Sequence, residues 1–150
     1  MNEPEDQVQP HKVFKGHSRT IWGVTITPDG RSVVSASRDK TIKVWLLDSG
    51  KCSATIRGHS GDVDEVKVTS DGLRLISSSD DGTVRVWDLA TGKCLSILGK
   101  ESNQLSLRPS FTGMAITPDG KRIVVGYIDS YYFGRRFEIF EQGENKSSTQ

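Results

Sequence analysis

The sequence predicts an all-β fold built from a repeated unit of four short antiparallel strands. Three observations carry this. The chain copies itself: Thr83-Val84-Arg85-Val86-Trp87-Asp88 echoes Thr41-Ile42-Lys43-Val44-Trp45-Leu46, forty-two residues earlier. The same shift maps Gly16-His17 onto Gly58-His59, Asp39 onto Asp81 and Gly50-Lys51-Cys52 onto Gly92-Lys93-Cys94. Short runs rich in Val, Ile and Thr alternate with Asp-Gly turns, and no stretch shows a helical period.

Composition narrows the function classes. The chain has 150 residues, enough for a modest core, and a net charge of +1 with 26% charged residues. That balance leaves no electrostatic footprint for nucleic acid. Hydrophobic residues make up 34%, and the 15 glycines suit many strands joined by tight turns. No apolar run approaches the ~20 residues that span a bilayer. Glu3, Glu5 and Asp6 are the wrong charge for a secretory start. Cys52 and Cys94 hold the same repeat position, a poor arrangement for a disulfide, and read as reduced thiols of a cytoplasmic protein.

Taken in order, residues 1–10 are too polar to order themselves and read as a disordered tail. Residues 11–15 read as a short strand around Val13 and Phe14. In the first repeat (16–57) strands are expected at 21–27, 32–37, 41–46 and 52–57. Thr27-Pro28-Asp29-Gly30 turns the chain between the first two: Pro presets φ, Asp bonds back to the backbone and Gly takes the positive φ. The second repeat (58–98) expects strands at 63–69, 73–79, 83–88 and 94–98, with Asp80-Asp81-Gly82 as a hairpin signal.

The third repeat (99–141) is degenerate. Thr117-Pro118-Asp119-Gly120 matches Thr27 to Gly30 but arrives late, and the extra length falls in 101–110, read as a loop. Strands are expected at 122–126 and 137–140, with an insertion near 129–136. Residues 142–150 are polar and read as a second disordered tail. A period in the low forties ending in Trp-Asp marks a β-propeller blade. The expected architecture is a partial propeller of about three four-stranded blades over residues 11–141, open unless another chain completes it.

These residues resemble the WD-repeat family over about 12–141: Gly-His, then Asp, then Trp-Asp or Trp-Leu at the family spacing. The third repeat resembles the closing repeat of longer bacterial members. The resemblance implies a hydrogen-bonded tetrad in each blade: His17, Ser35, Asp39 and Trp45 in the first, and His59, Ser77, Asp81 and Trp87 in the second. Physically, a histidine ring can bridge a carboxylate and a hydroxyl while Trp donates its indole N–H. In the third repeat Lys100, Val125 and Phe140 replace His, Ser and Trp, and only Asp129 remains, so that blade is expected to be the least stable.

Ser77, His59 and Asp81 could suggest a catalytic triad. Their recurrence at the structural period argues against it, as does the lack of a nucleophile elbow or Gly-rich phosphate loop. The expectation is no enzyme, no cofactor and no metal: His11, His17, His59, Cys52 and Cys94 show no ligand spacing.

The resemblance places partner contacts at Thr20, Trp22 and Arg38 in the first repeat and at Asp62, Asp64 and Asp80 in the second. The third-repeat equivalents are Ser110, Thr112 and Ile128. A Trp and an Arg beside three carboxylates suit a peptide or loop carrying a basic residue. The competing reading has Trp22 packed on its neighbours beside solvated carboxylates.

The expected function is a non-catalytic protein-interaction scaffold with a protein or peptide partner, and neither nucleic acid nor membrane. The alternative is a regulatory or sensor segment separated from a multidomain bacterial ATPase or kinase-like signalling protein. Residues 11–15 are the piece the last blade lacks. Two copies could pair into a six-bladed ring, or the chain could be a piece of a larger protein; the sequence leaves both open.

Overall fold

Eleven strands build the described part of the chain, which in this computed structural model covers residues 11–99, 110–129 and 134–142. The first sheet runs β1 (Ile21–Ile26), β2 (Ser32–Ser37), β3 (Ile42–Leu46) and β4 (Cys52–Ile56). The second runs β5 (Val63–Val68), β6 (Arg74–Ser79), β7 (Thr83–Asp88) and β8 (Cys94–Gly99). Each is four-stranded, antiparallel and ordered as in sequence. All eight strands lie within one residue of the expected bounds.

The turns set this order. Gly30 takes φ 71° while Thr27 Oγ1 donates to Asp29 Oδ1 at 2.7 Å and the Arg31 amide donates to the same oxygen at 3.0 Å. Thr69-Asp71-Gly72 and Thr117-Asp119-Gly120 build the same closure. Three copies of one local hydrogen-bond device thus fix the first hairpin of each sheet.

The third sheet has three strands, β9 (Ser110–Ile116), β10 (Arg122–Asp129) and β11 (Gly134–Glu141), in the order β11-β10-β9. Here the structure corrects the sequence reading. Ser110 belongs to a strand rather than a loop. The supposed insertion near 129–136 largely lengthens the hairpin, with Tyr127 paired to Arg136 and Asp129 to Gly134. Ladder pairing absorbs added residues two at a time without disturbing the register closer to the core.

A second correction concerns residues 11–15. They form no strand. Phe14 packs edge-on against Trp45 at 5.9 Å between ring centroids, and Lys12 Nζ donates to the carbonyls of Leu47 and Asp48 at 2.6 and 2.5 Å. The segment is held by a ring and a cation, because no described strand edge lies beside it. Residues 1–10, 100–109, 130–133 and 143–150 fall outside the described residues, and with them the expected N-terminal tail, most of the expected loop and all of the expected C-terminal tail but Gln142.

The sheets pack face to face through two cores. Val34, Ile42, Ile56, Val63, Leu75 and Trp87 join sheets one and two. Ile76, Val84, Val86, Met114, Ile123 and Val125 join sheets two and three, with Phe140 packed against them. The second sheet is therefore buried on both faces, and all but the last residue of β7 is buried. Apolar burial at this scale is the dominant stabilising term. Among the described residues no helix is long and apolar enough to cross a membrane.

Candidate partner-binding site

Two polar networks hold the sheets that carry the site. In the second sheet His59 Nδ1 meets Asp81 Oδ2 at 2.7 Å, and His59 Nε2 meets Ser77 Oγ at 2.7 Å. Trp87 Nε1–H donates to the same Ser77 Oγ at 2.8 Å. A carboxylate can only accept, so the protons run one way: Trp87 to Ser77, Ser77 to His59, His59 to Asp81. The first sheet repeats this through Trp45, Ser35, His17 and Asp39 at 2.7–2.8 Å. The third-repeat positions Val125 and Phe140 lie in the apolar core instead.

The sequence reading missed one member of each network. Thr41 and Thr83 hydroxyls donate to Asp39 Oδ1 and Asp81 Oδ1, both at 2.6 Å. Burial pushes the Asp81 carboxyl up, but hydrogen bonds from the His59 ring and from the Thr83 hydroxyl and amide outweigh it and hold the group well below the usual range. Asp39 is also held low: burial opposes, and Thr41, His17 and the Ser18 and Thr41 amides prevail. Both cysteines are free thiols, and among the described residues no group of His, Cys, Asp and Glu is placed to hold a metal.

The candidate site lies where the first strands of the three sheets approach one another. Each strand carries a β-bulge. Ile21 pairs with Ser37 and Gly23 with Ala36, leaving Trp22 unpaired; Val63 pairs with Ser79 and Glu65 with Ser78, leaving Asp64 unpaired. Phe111 pairs with Tyr127 and Gly113 with Gly126, leaving Thr112 unpaired. A bulge re-aims the side chain it frees. Trp22, Asp64 and Thr112 thereby face a shared cavity of about 530 Å³. Next to it, Trp22, Asp62, Asp64, Asp80 and Phe111 line a recess of about 380 Å³.

Of the six sequence-derived face residues, the structure brings Trp22, Asp62, Asp64 and Asp80 together. Arg38 joins at the margin, its Nε 3.4 Å from Asp62 Oδ2. Thr20 stands outside the lining; its carbonyl accepts the Arg38 amide at 2.8 Å. Trp22 is 56% exposed. Phe111 and Ser78 are additions from the structure. Phe111 lies between the sequence-derived Ser110 and Thr112, and its repeat equivalents Ile21 and Val63 gave no reason to single it out. Ser78 replaces Ala36 of the first repeat, a polar-for-apolar exchange at a buried strand position that the alignment already contains.

The recess is electrostatically strained. Burial, the neighbouring charges of Asp80 and Asp62, a hydrogen bond shared with Asp80 and the charge of Asp81 push the Asp64 carboxyl up to about 7. Asp64 Oδ2 is buried with no hydrogen-bond partner among the described residues, and so is the Ser78 hydroxyl. Buried polar atoms are almost always paired, so these two, in residues lining one cavity, make it suited to a polar group. Asp62 is paired with Arg38 at the margin of the recess.

Face-packed antiparallel sheets, two of them locked by a His–Ser–Trp–Asp network and all three bulged in their first strand, are consistent with blades of a partial propeller. The chain belongs to the WD-repeat family: the family described as WD domain, G-beta repeat matches residues 8–45 and 50–88, just over half of the chain.

Similar proteins match over about one repeat. The ribosome biogenesis protein BOP1 homolog of Drosophila grimshawi is 41% identical over 44 residues, covering 29% of this chain and 6% of its own length. The small ribosomal subunit protein RACK1 of Candida albicans is 48% identical over 42 residues, covering 28% of this chain and 13% of its own. The chain therefore spans a small part of these relatives.

Proposed function

We propose that residues 11–141 form a non-catalytic, cytoplasmic protein-interaction unit whose partner places a basic side chain in the recess. The observation behind this is the bulged Asp64, a carboxyl raised to about 7 between the exposed ring of Trp22 and Phe111. A guanidinium or ammonium group replaces the proton on Asp64, relieves its repulsion with Asp80 and lies against aromatic faces. The Asp62–Arg38 pair borders the recess and selects against an acidic partner. Trp-Asp repeats as binding modules and the two relatives above, both named for the ribosome, suit a scaffold working within a larger assembly. The Ser77–His59–Asp81 set has no catalytic part here: Ser77 Oγ is buried, accepts from Trp87 and is engaged by His59.

Selection of random peptides against the immobilised chain tests the proposal. Peptides enriched in Arg or Lys are expected, with enrichment lost in the Trp22→Ala/Asp64→Asn double variant. Peptides without basic enrichment, or equal recovery by the variant, remove it.

A further inference from the structure

The repeat supplies its own control. Ile21, Val24 and Ile26 of β1 are 47%, 66% and 58% exposed. Their equivalents forty-two residues on, Val63 and Val66 of β5, are 0% and 2% exposed, and Val68 is packed against the core. The side chains are of one kind, so the neighbour makes the difference. Sheet one covers β5. Among the described residues no sheet covers β1 from its other side.

Residues 11–15 show what belongs there. A Cβ on Gly50 would meet Lys12 and Phe14, as a Cβ on Gly92 would meet Ile56 of β4. Gly50 and Gly92, and Phe14 and Ile56, are each one period apart. Phe14 therefore stands against sheet one as the fourth strand of sheet one stands against sheet two. It marks the fourth strand of a blade whose other strands are elsewhere.

The third sheet is the complement. β4 covers β3 and β8 covers β7, but the outer edge of β11 is unpaired among the described residues. That strand leaves Phe137 71% and Ile139 55% exposed. Open edges and apolar faces of this kind are association sites. Sheets one and three flank sheet two on opposite sides, so residues 11–15 and β11 of one copy face away from each other.

We propose that two copies of this chain exchange these parts. Residues 11–15 of each copy pair along β11 of the other, and each β9–β11 sheet covers the apolar β1 face of its counterpart. The contact is isologous, so one two-fold axis satisfies both ends at once. Three sheets from each copy make a ring within the roughly four to eight blades that closed propellers use. This goes beyond the recess reading, which one copy can satisfy alone.

The test uses the full chain in a Cys52→Ser/Cys94→Ser background. One preparation carries Val13→Cys, and a second, distinguished by an affinity tag, carries Ile139→Cys. After mixing, a short bismaleimide should join one chain of each kind, and light scattering should give twice the chain mass. Phe137→Glu/Ile139→Lys alters only the exposed face of β11, opposite Phe140, and should weaken the dimer at least tenfold, with near-ultraviolet dichroism of Trp45 and Trp87 retained. A monomer at tens of micromolar, larger aggregates, a crosslink confined to one chain in a Val13→Cys/Ile139→Cys double variant, or a dimer indifferent to the β11 changes overturns the proposal.

Discussion

Trp22 and Asp64 hold the same place in successive repeats, each freed by a bulge in the first strand of its sheet, and both line one recess. The repeat fixes where a side chain points, and the residue chosen there decides what it recognises. An aromatic ring and a carboxyl group at equivalent positions form a site for a cation.

The first prediction is pH-dependent recognition. Asp64, raised to about 7, must lose its proton before it can pair with a basic group. Affinity for an arginine peptide should rise about tenfold from pH 6 to 8, then level off. Asp64→Asn should bind weakly at every pH. A flat profile in the unaltered chain would exclude Asp64 as the charge that pairs.

Stability should show the opposite sign. The folded carboxyl binds its proton more tightly than its ordinary value of 3.8, so the unliganded protein loses stability as pH rises from about 4 to 7. Asp64→Asn should therefore stabilise the free chain at pH 8, by about 1–2 kcal/mol after allowance for solvent screening at its open side. Below pH 4 the two should converge. Urea denaturation at pH 8 and pH 4 reads both arms.

The polar networks should be unequal. Ser77→Ala strands the Trp87 N–H and the His59 ring nitrogen inside the doubly covered sheet, at a cost of about 1–3 kcal/mol. Ser35→Ala breaks the same bonds in sheet one, where Ser35 and Trp45 are also buried but Asp39 is more open than Asp81, and should cost somewhat less. Equal losses in urea denaturation would show that the exposure of the carboxylate does not set the value of the network.

One residue is strained. Lys40 adopts φ 70° where the second repeat has Gly82 at φ 88°. Lys40→Gly should stabilise by about 1 kcal/mol, because glycine takes this conformation without a Cβ clash. An unchanged or lowered melting temperature would show that the Lys40 side chain makes an offsetting contact.

Much of the fold was legible because the chain repeats. Eight strands could be placed by aligning the chain with itself, the family resemblance named both tetrads, and the turn residues Asp29, Asp71 and Asp119 each state their own geometry. The rest was hidden where that alignment weakens. The lengthened hairpin between Tyr127 and Arg136 looked like an insertion, because a strand pair can grow without changing its pattern. Residues 11–15 have strand composition, but a strand also needs an edge to pair with, and that edge is not beside them. The site was half legible. The family resemblance located Trp22 and Asp64, whereas the part played by Phe111 and the proton held on Asp64 depend on distances between sheets that no single repeat encodes.

Recognition of a positive charge in the recess carries the proposed function. Calorimetric titration with a selected arginine peptide, and with the same peptide carrying citrulline in place of arginine, tests this directly. Citrulline keeps the shape and removes the charge. The account predicts at least tenfold tighter binding of the arginine form at pH 8, abolished by Asp64→Asn. Equal affinities for the two peptides would contradict it.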